Sequence, residues 1–323
     1  MKRTDFIKRM ALLTAGTTML PELSFAQGLG TGSPPTLAKI GVQLFSVPLA
    51  LEQDFEGTIA MLAQMGFKEI ELFGPYPYSA DSAKAGWQAI TPQLGFSGSG
   101  YFGQSEDKVK AIFKEHGLSI PAAHTDLDTL ETAMEGLGKA GEVLGFDYVV
   151  LPAIPPERRK TVDDYKKMAD TFNKIGKQAK EVGLKFAYHN HGYGLSEVEG
   201  ELPLHHILDG TDPELVFLEM DLFWTFAGNA DPITYLEKYS GRYHLMHVKD
   251  MSEKKTFSGD GGDPSQWIEL FPHMTSAGDG VIDLQKIIPI AKKNGVTHFF
   301  VEQDMVKNPE VALKRSFDYL SGI

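Results

Sequence analysis

The sequence predicts an α/β protein, a single domain folded as a closed (β/α)8 TIM barrel. Three observations carry that prediction. From residue 38 onward short β-type runs alternate with longer helical patterns, and the β-type runs number eight. Several helical runs stop at a glycine just before the next strand, at Gly66, Gly117, Gly145, Gly183 and Gly295, as helix C-termini do. The first strand leaves through "LFSVPLALEQD", without the glycine-rich phosphate turn that an open doubly wound sheet normally carries there. Eight β-α units then predict closure into a barrel.

In chain order the strands are "KIGVQLFSV" (39–47), "KEIELFG" (68–74), "SIPAAHTDL" (119–127), "DYVVLPAI" (147–154), "LKFAYHNH" (184–191), "LVFLEMDLFW" (215–224), "YHLMHVKDM" (243–251) and "THFFVEQD" (297–304). Between them lie amphipathic helices such as "FEGTIAMLAQMG" and "VDDYKKMADTFNKIGKQAKEVG". Two connections are long. Residues 75–105, after strand 2, carry Tyr76, Tyr78, Trp87, Tyr101 and Phe102; residues 252–280, after strand 7, carry Phe257, Trp267 and Phe271. Both run from strand to helix and so belong to the catalytic face, where long loops serve as lids or substrate walls.

Ahead of the barrel, Lys2, Arg3, Lys8 and Arg9 precede the short apolar run "MALLTAGTTML", and Ser24-Phe25-Ala26 offers a small-x-small cleavage site before Gln27. Residues 1–26 are therefore expected to be a secretory signal that sends the protein to the periplasm. The adjacent arginine pair of a twin-arginine signal is missing, which leaves the export route open. Residues 27–37, "QGLGTGSPPTL", are read as a linker, and 38–323 as the barrel. The net charge of -12, with no basic stripe, argues against a nucleic-acid groove. With no cysteine, disulfides, thiol nucleophiles and cysteine-zinc sites are excluded. Once the leader is removed, no membrane partner is expected.

A barrel interior is normally filled with branched apolar side chains. Here polar residues recur at the C-terminal ends of the strands: Gln43, Glu71, His124, His189 and His191, Glu219 and Asp221, His247 and Lys249, and Glu302. Residues two apart on a strand share a face, so both members of each pair can point inward. Burying so many ionisable groups would cost several kcal/mol each without compensation. A divalent cation supplies that compensation, since it binds neutral imidazoles and carboxylates. A lone strand histidine is more often structural than a ligand; coincidence over consecutive strands shifts the odds. His116, His205, His206, His273 and His298 lie in helices, a loop or a strand start and are left out.

The motifs "GVQLFS", "EIELFG", "AAHTDL", "YHNHG", "LEMDLFW", "HLMHVKD", "GDGVIDLQKII" and "FVEQD" follow one another in an order that resembles the xylose isomerase-like barrel superfamily over about residues 38–320. That group holds sugar isomerases and epimerases, and DNA repair enzymes of the endonuclease IV type. The resemblance implies a metal held at the ends of strands 5 to 8, by His189, Asp221, His247 and Glu302. Strand 5 of the epimerases usually supplies a glutamate where this chain has His189, so a mirrored pair of metal-bound glutamates is in doubt.

The expected activity is that of a divalent-metal-dependent sugar isomerase or epimerase, working by proton abstraction next to a carbonyl through a metal-stabilised enediolate. Glu302 is the expected base and Lys249 the electrophile or proton donor, with His124 and His191 as alternates. Gln43, Glu71 and Trp224 are expected to contact the substrate, a small sugar or glycoside. Two imidazoles and two carboxylates suit Mn²⁺ or Zn²⁺, then Co²⁺ or Fe²⁺. The alternative is an exported lyase or hydratase on an oxidised (3-keto) glycoside, using the same metal and base. A non-catalytic sugar-binding barrel ranks lower, and DNA repair is disfavoured by charge and by too few ligands for a trinuclear zinc site.

Overall fold

The computed structural model describes residues 37–323. The expected signal segment and nearly all of the linker lie outside the described residues. Among the described residues ten strands occur: β1 (Gly41–Gln43), β2 (Glu69–Phe73), β3 (Ser119–His124), β4 (Tyr148–Leu151), β5 (Lys185–His189), β6 (Val216–Asp221), β7 (Tyr243–Val248), β8 (Asp250–Met251), β9 (Met274–Thr275) and β10 (His298–Val301). Eight of them close into a barrel in the order β1-β10-β7-β6-β5-β4-β3-β2, and every pairing is parallel. Helices follow the strands, as parallel neighbours require.

Alternation along each strand sorts the side chains. Ile70, Leu72, Val149, Leu151, Phe186, Tyr188, Leu218, Met220 and Met246 belong to the large core that strands share with helices. Ala122, Tyr148, Val150, Ala187, Leu245 and Phe300 form a separate cluster, the packed middle of the barrel. Two alanines there make room for one phenylalanine, so the interior is filled and not a pore. The helix Val162–Glu181 shows how the outer layer is built. Thr161 and Asp164 form a capping box at its start, and Tyr165, Met168, Phe172, Ile175 and Ala179 bury one face. The five glycines expected to end helices all have positive φ; at Gly66, φ +116°, a side chain would also strike the Phe317 ring.

Every expected strand exists, but each is shorter than the apolar pattern suggests. The sixth ends at Asp221 because that residue caps a helix, Leu222–Ala227, and the first gives way to a 3-10 turn at Leu44. The ladder of β8 with β9 was not anticipated and sits inside the long connection after β7. Asp250 organises that connection: its carboxylate accepts from the backbone N–H groups of Met251, Gly278, Gly280 and Ile282. The connection after β2 contains the helix Asp81–Leu94, none of whose residues is buried. Among the described residues no helix is long and apolar enough to cross a membrane.

Candidate active site

The polar strand ends gather in two layers at the C-terminal mouth of the barrel. The deeper layer contains Gln43, Glu71, His124 and Glu219. Gln43 Nε2 donates to Glu71 Oε2 at 2.8 Å, and His124 Nε2 lies 2.8 Å from Glu219 Oε2 and 3.2 Å from Glu71 Oε2. Burial opposes a charge on His124, but Glu71 and Glu219 outweigh it and raise its pKa to about 9. The ring is therefore a cation wedged between two buried carboxylates.

The upper layer is built on that base. His189 donates from Nδ1 to Glu219 Oε2 at 3.1 Å, which leaves Nε2 bare, 3.8 Å from Asp221 Oδ2. His247 Nε2 donates to Glu71 Oε2 at 2.6 Å, and its Nδ1 lies 3.7 Å from Asp221 Oδ2 and 2.6 Å from Glu302 Oε2. Burial opposes a charge on this ring, but Glu219, Glu302 and Glu71 outweigh it and raise its pKa, so a cation at Nδ1 would take the place of a proton. A buried carboxylate behind each imidazole fixes its tautomer, the usual support of a histidine ligand. Asp221 divides its work between its two oxygens. Oδ1 accepts from Trp224 N–H at 2.8 Å and caps the next helix, while Oδ2 is buried without a hydrogen-bond partner. His247 Nδ1 is likewise buried and makes no hydrogen bond, despite its closeness to Glu302. Asn190 holds the backbone of Asp221, accepting from its N–H at 3.2 Å.

Glu71 Oε1 and Glu219 Oε1, in the deeper layer, are also buried without a hydrogen-bond partner, so both layers offer bare atoms. Around an ion with bonds of about 2.1 Å, ligand atoms sit roughly 3.0–3.5 Å apart. Asp221, His247 and Glu302 offer ligand atoms that all lie within 4.8 Å of one another, and His189 Nε2 lies 3.8 Å from Asp221 Oδ2. A second grouping, His124, His189, Glu219 and His247, is also compact enough for an ion. It would have to use the imidazole nitrogens that donate to Glu219 and Glu71. An imidazole that gives one nitrogen to the upper position keeps its proton on the other, so the two groupings exclude one another and the barrel end fits one divalent cation. Burial and the neighbouring His247 push the His189 pKa down to about 3, so that ring is neutral and ready to bind.

Lys249 closes the arrangement. Its Nζ lies 2.8 Å from Glu302 Oε2, 3.2 Å from Asp221 Oδ2 and 3.2 Å from Asp304 Oδ2, and 5.2 Å over the Trp224 ring. Burial works against its charge, yet Asp221, Asp304 and Glu302 hold its pKa well above the usual range, so it is an ammonium and a donor. Burial, Lys249 and His247 act on Glu302 together, and the two cations win, keeping it an anion. Asp304 goes the other way: burial, only partly offset by Lys249, lifts it to about 8.

The structure thus brings His189, Asp221, His247, Glu302 and Lys249 together. His191 lies beyond the end of β5, half-buried, its ring 4.3 Å from that of Trp267 and 5.1 Å from that of His189. Three expectations need correction. Gln43 and Glu71 are 1% and 0% exposed and hydrogen-bonded to one another, with Glu71 behind His247, which is not the exposed placement expected of substrate contacts. His124 is committed to Glu71 and Glu219, which removes it as an acid-base candidate. Trp224 packs between His191 and Phe257, an inner wall 2% exposed, and is not a contact surface. Sequence reasoning assigned no role to Glu219, Asn190 or Asp304. The signal for Asp304 was present, since it follows Glu302 by two residues as Asp221 follows Glu219.

Eight parallel strands with a buried, ligand-type cluster at their C-terminal ends define a TIM-barrel enzyme with a divalent-metal site. The chain belongs to the xylose isomerase-like TIM barrel family, whose profile matches residues 59–322. It is similar to an inosose dehydratase of Clostridium tetani, 28% identical over 277 residues that cover 82% of this chain and 89% of that one. It is also similar to inosose dehydratase 2 of Bacillus cereus, 28% identical over 283 residues, with the same two coverages. Among solved structures, a sugar phosphate isomerase/epimerase from Parabacteroides distasonis superposes with a TM-score of 0.69 at 22% identity, covering 91% of this chain and 96% of that one. The IolI protein with a bound zinc atom gives 0.60 at 16% identity, covering 87% and 95%. The 3-keto-D-glucoside 4-epimerase of E. coli gives 0.56 at 16% identity, covering 88% and 99%. At these identities the solved structures speak for the fold.

Proposed function

We propose that this protein is a divalent-metal-dependent lyase or dehydratase acting on keto-sugars. It removes a proton next to the carbonyl and expels an oxygen substituent from the neighbouring carbon. The observation that carries this reading is the one-sidedness of the acid-base groups. Glu302, Lys249 and Asp304 are in mutual contact, whereas β5 ends in His189, held by Glu219, and offers no carboxylate. Inverting a carbon requires proton loss on one face and gain on the other. Elimination requires one base and one acid, and these can share a side.

His189, Asp221, His247 and Glu302 would hold the ion, and the mixed nitrogen and oxygen set suits zinc or manganese. When bound, a divalent cation supplies positive charge where negative charge develops on a substrate oxygen. Glu302 takes the proton from the carbon beside the carbonyl. The electron pair released forms a new carbon–carbon double bond as the bond to the departing oxygen breaks. Lys249 gives a proton to that oxygen, so water or an alcohol leaves and an unsaturated ketone remains. Asp304 and the Trp224 face hold the ammonium in place between the two events. The curated relatives named as dehydratases support elimination over isomerisation. The basic and apolar leader of residues 1–26 supports action outside the cytoplasm.

Proton NMR in D₂O with a panel of 3-keto-glycosides and inososes tests the proposal. Elimination releases the substituent and yields an olefinic signal. An intact skeleton with deuterium at the carbon beside the carbonyl, or an inverted centre, would contradict it.

A further inference from the structure

The family resemblance invites a phosphorylated substrate, but the mouth of this barrel is built against one. Barrels of this class often cradle phosphate with the loops after the seventh and eighth barrel strands and a helix N-terminus there. Those positions carry acids in this chain. Asp263 caps the helix Pro264–Leu270, Asp283 caps Leu284–Lys293, and Glu310 sits in the first turn of Pro309–Leu320. The less exposed cations of the β-to-α segments are already engaged. Lys249 is shared by three carboxylates. Arg159 donates to the carbonyls of Ile154 and Gly262 and lies 3.9 Å over the Tyr193 ring. Arg158 pairs with Glu131 at 3.3 Å.

What the mouth offers is apolar. One wall comes from the first long connection: the Trp87 ring lies 5.9 Å from Phe73 and 5.7 Å from Phe96. The other comes from the second, where Trp267 packs on His191 and Phe257 on Trp224. Each wall tryptophan spends its N–H on its own loop, Trp87 on the Ser97 carbonyl and Trp267 on that of Gly261, both at 2.8 Å. Both rings are half-buried, and the polar edge of each is turned to its own loop. Among the described residues the exposed large apolar side chains, Leu49, Ile90, Val198, Ile268, Val281 and Val311, lie in β-to-α segments or in the first turn of the helix that follows. An apolar rim around a polar floor fits a ligand with a polar reacting ring and an apolar extension.

We infer that the substrate class is a neutral glycoside whose aglycone lies against the Trp267 wall, and not a free or phosphorylated sugar. This rests on the reading above that the ion-binding cluster handles a sugar. Aromatic faces bind the apolar surface of a pyranose or an aryl group, and they gain nothing from a phosphate.

Calorimetric titration of the full, metal-loaded chain with three unreactive probes tests the inference: phenyl β-glucoside, glucose and glucose 6-phosphate. The phenyl glucoside is expected to bind about tenfold more tightly than glucose, and glucose 6-phosphate no better than glucose at any salt concentration. Trp267→Ala should erase most of the phenyl advantage, and Trp267→Phe, which keeps a flat face, should retain part of it. Tighter binding of glucose 6-phosphate that weakens with salt would overturn the inference. So would a phenyl advantage that survives Trp267→Ala unchanged. Failure of every keto-sugar to react in D₂O would overturn the elimination chemistry and leave the order of binding standing, so the two claims fail separately.

Discussion

Both ends of this barrel carry histidines and carboxylates, and they differ in how completely those groups are paired. At the N-terminal end, His298 Nδ1 donates to Glu69 Oε2 at 2.9 Å, Lys39 lies 3.4 Å from the same carboxylate, and the Tyr148 hydroxyl is 2.8 Å from His244 Nδ1. No buried side-chain atom of that group lacks a partner. At the C-terminal end Asp221 Oδ2 and His247 Nδ1 in the upper layer, and Glu71 Oε1 and Glu219 Oε1 beneath them, are buried without a hydrogen-bond partner. The lesson is that ionisable residues alone do not mark function. A plug satisfies its own hydrogen bonds, whereas a metal site is organised by hydrogen bonds that leave some atoms bare.

Substitutions at the two ends test that contrast, beginning with the largest effect. Glu302→Gln removes the base and should lower kcat/KM by about 10³-fold or more, measured on whichever keto-sugar the NMR panel identifies. Asp221→Asn keeps the helix cap, because an amide oxygen also accepts from Trp224, but removes a charged ligand. Metal affinity by competition with a chelator should fall by roughly 100-fold, while the melting temperature of the metal-free protein hardly moves. Glu219→Gln and Glu71→Gln act through the histidines they orient, and each should cost about 10–100-fold in metal affinity. His298→Gln at the opposite end should leave kcat/KM within about twofold and lower Tm by about 2–3 °C. A loss of activity there as large as at Glu219 would erase the distinction between plug and site.

The contrast also explains what the sequence could and could not disclose. The eight-fold alternation, the glycine stops and the two long connections were legible because period and punctuation are local properties. So were His189, Asp221, His247 and Glu302, since period-two spacing shows which side chains face inward. Spacing gives the face but not the height. Strand tilt and stagger set the height, and they drop Gln43, Glu71, His124 and Glu219 one layer below the ligands. Substrate contact was therefore expected of Gln43 and Glu71, and acid-base work of His124, where the structure shows support. Strand ends were drawn too long for a related reason. The polar residues that finish each strand also begin a cap or turn, as Asp221 does for Leu222–Ala227. Asp304 and Glu302 both lie past the end of β10, two residues apart, and that spacing alone does not show that Lys249 bridges them.

The central claim is that one cation sits in the upper layer and not in the deeper grouping that shares His189 and His247. X-ray absorption at the zinc edge of the zinc-loaded protein separates the two, because they differ in imidazole count. The upper position predicts two imidazole ligands, with the remaining coordination from oxygen. Three imidazoles would place the ion with His124 in the deeper layer and contradict the account.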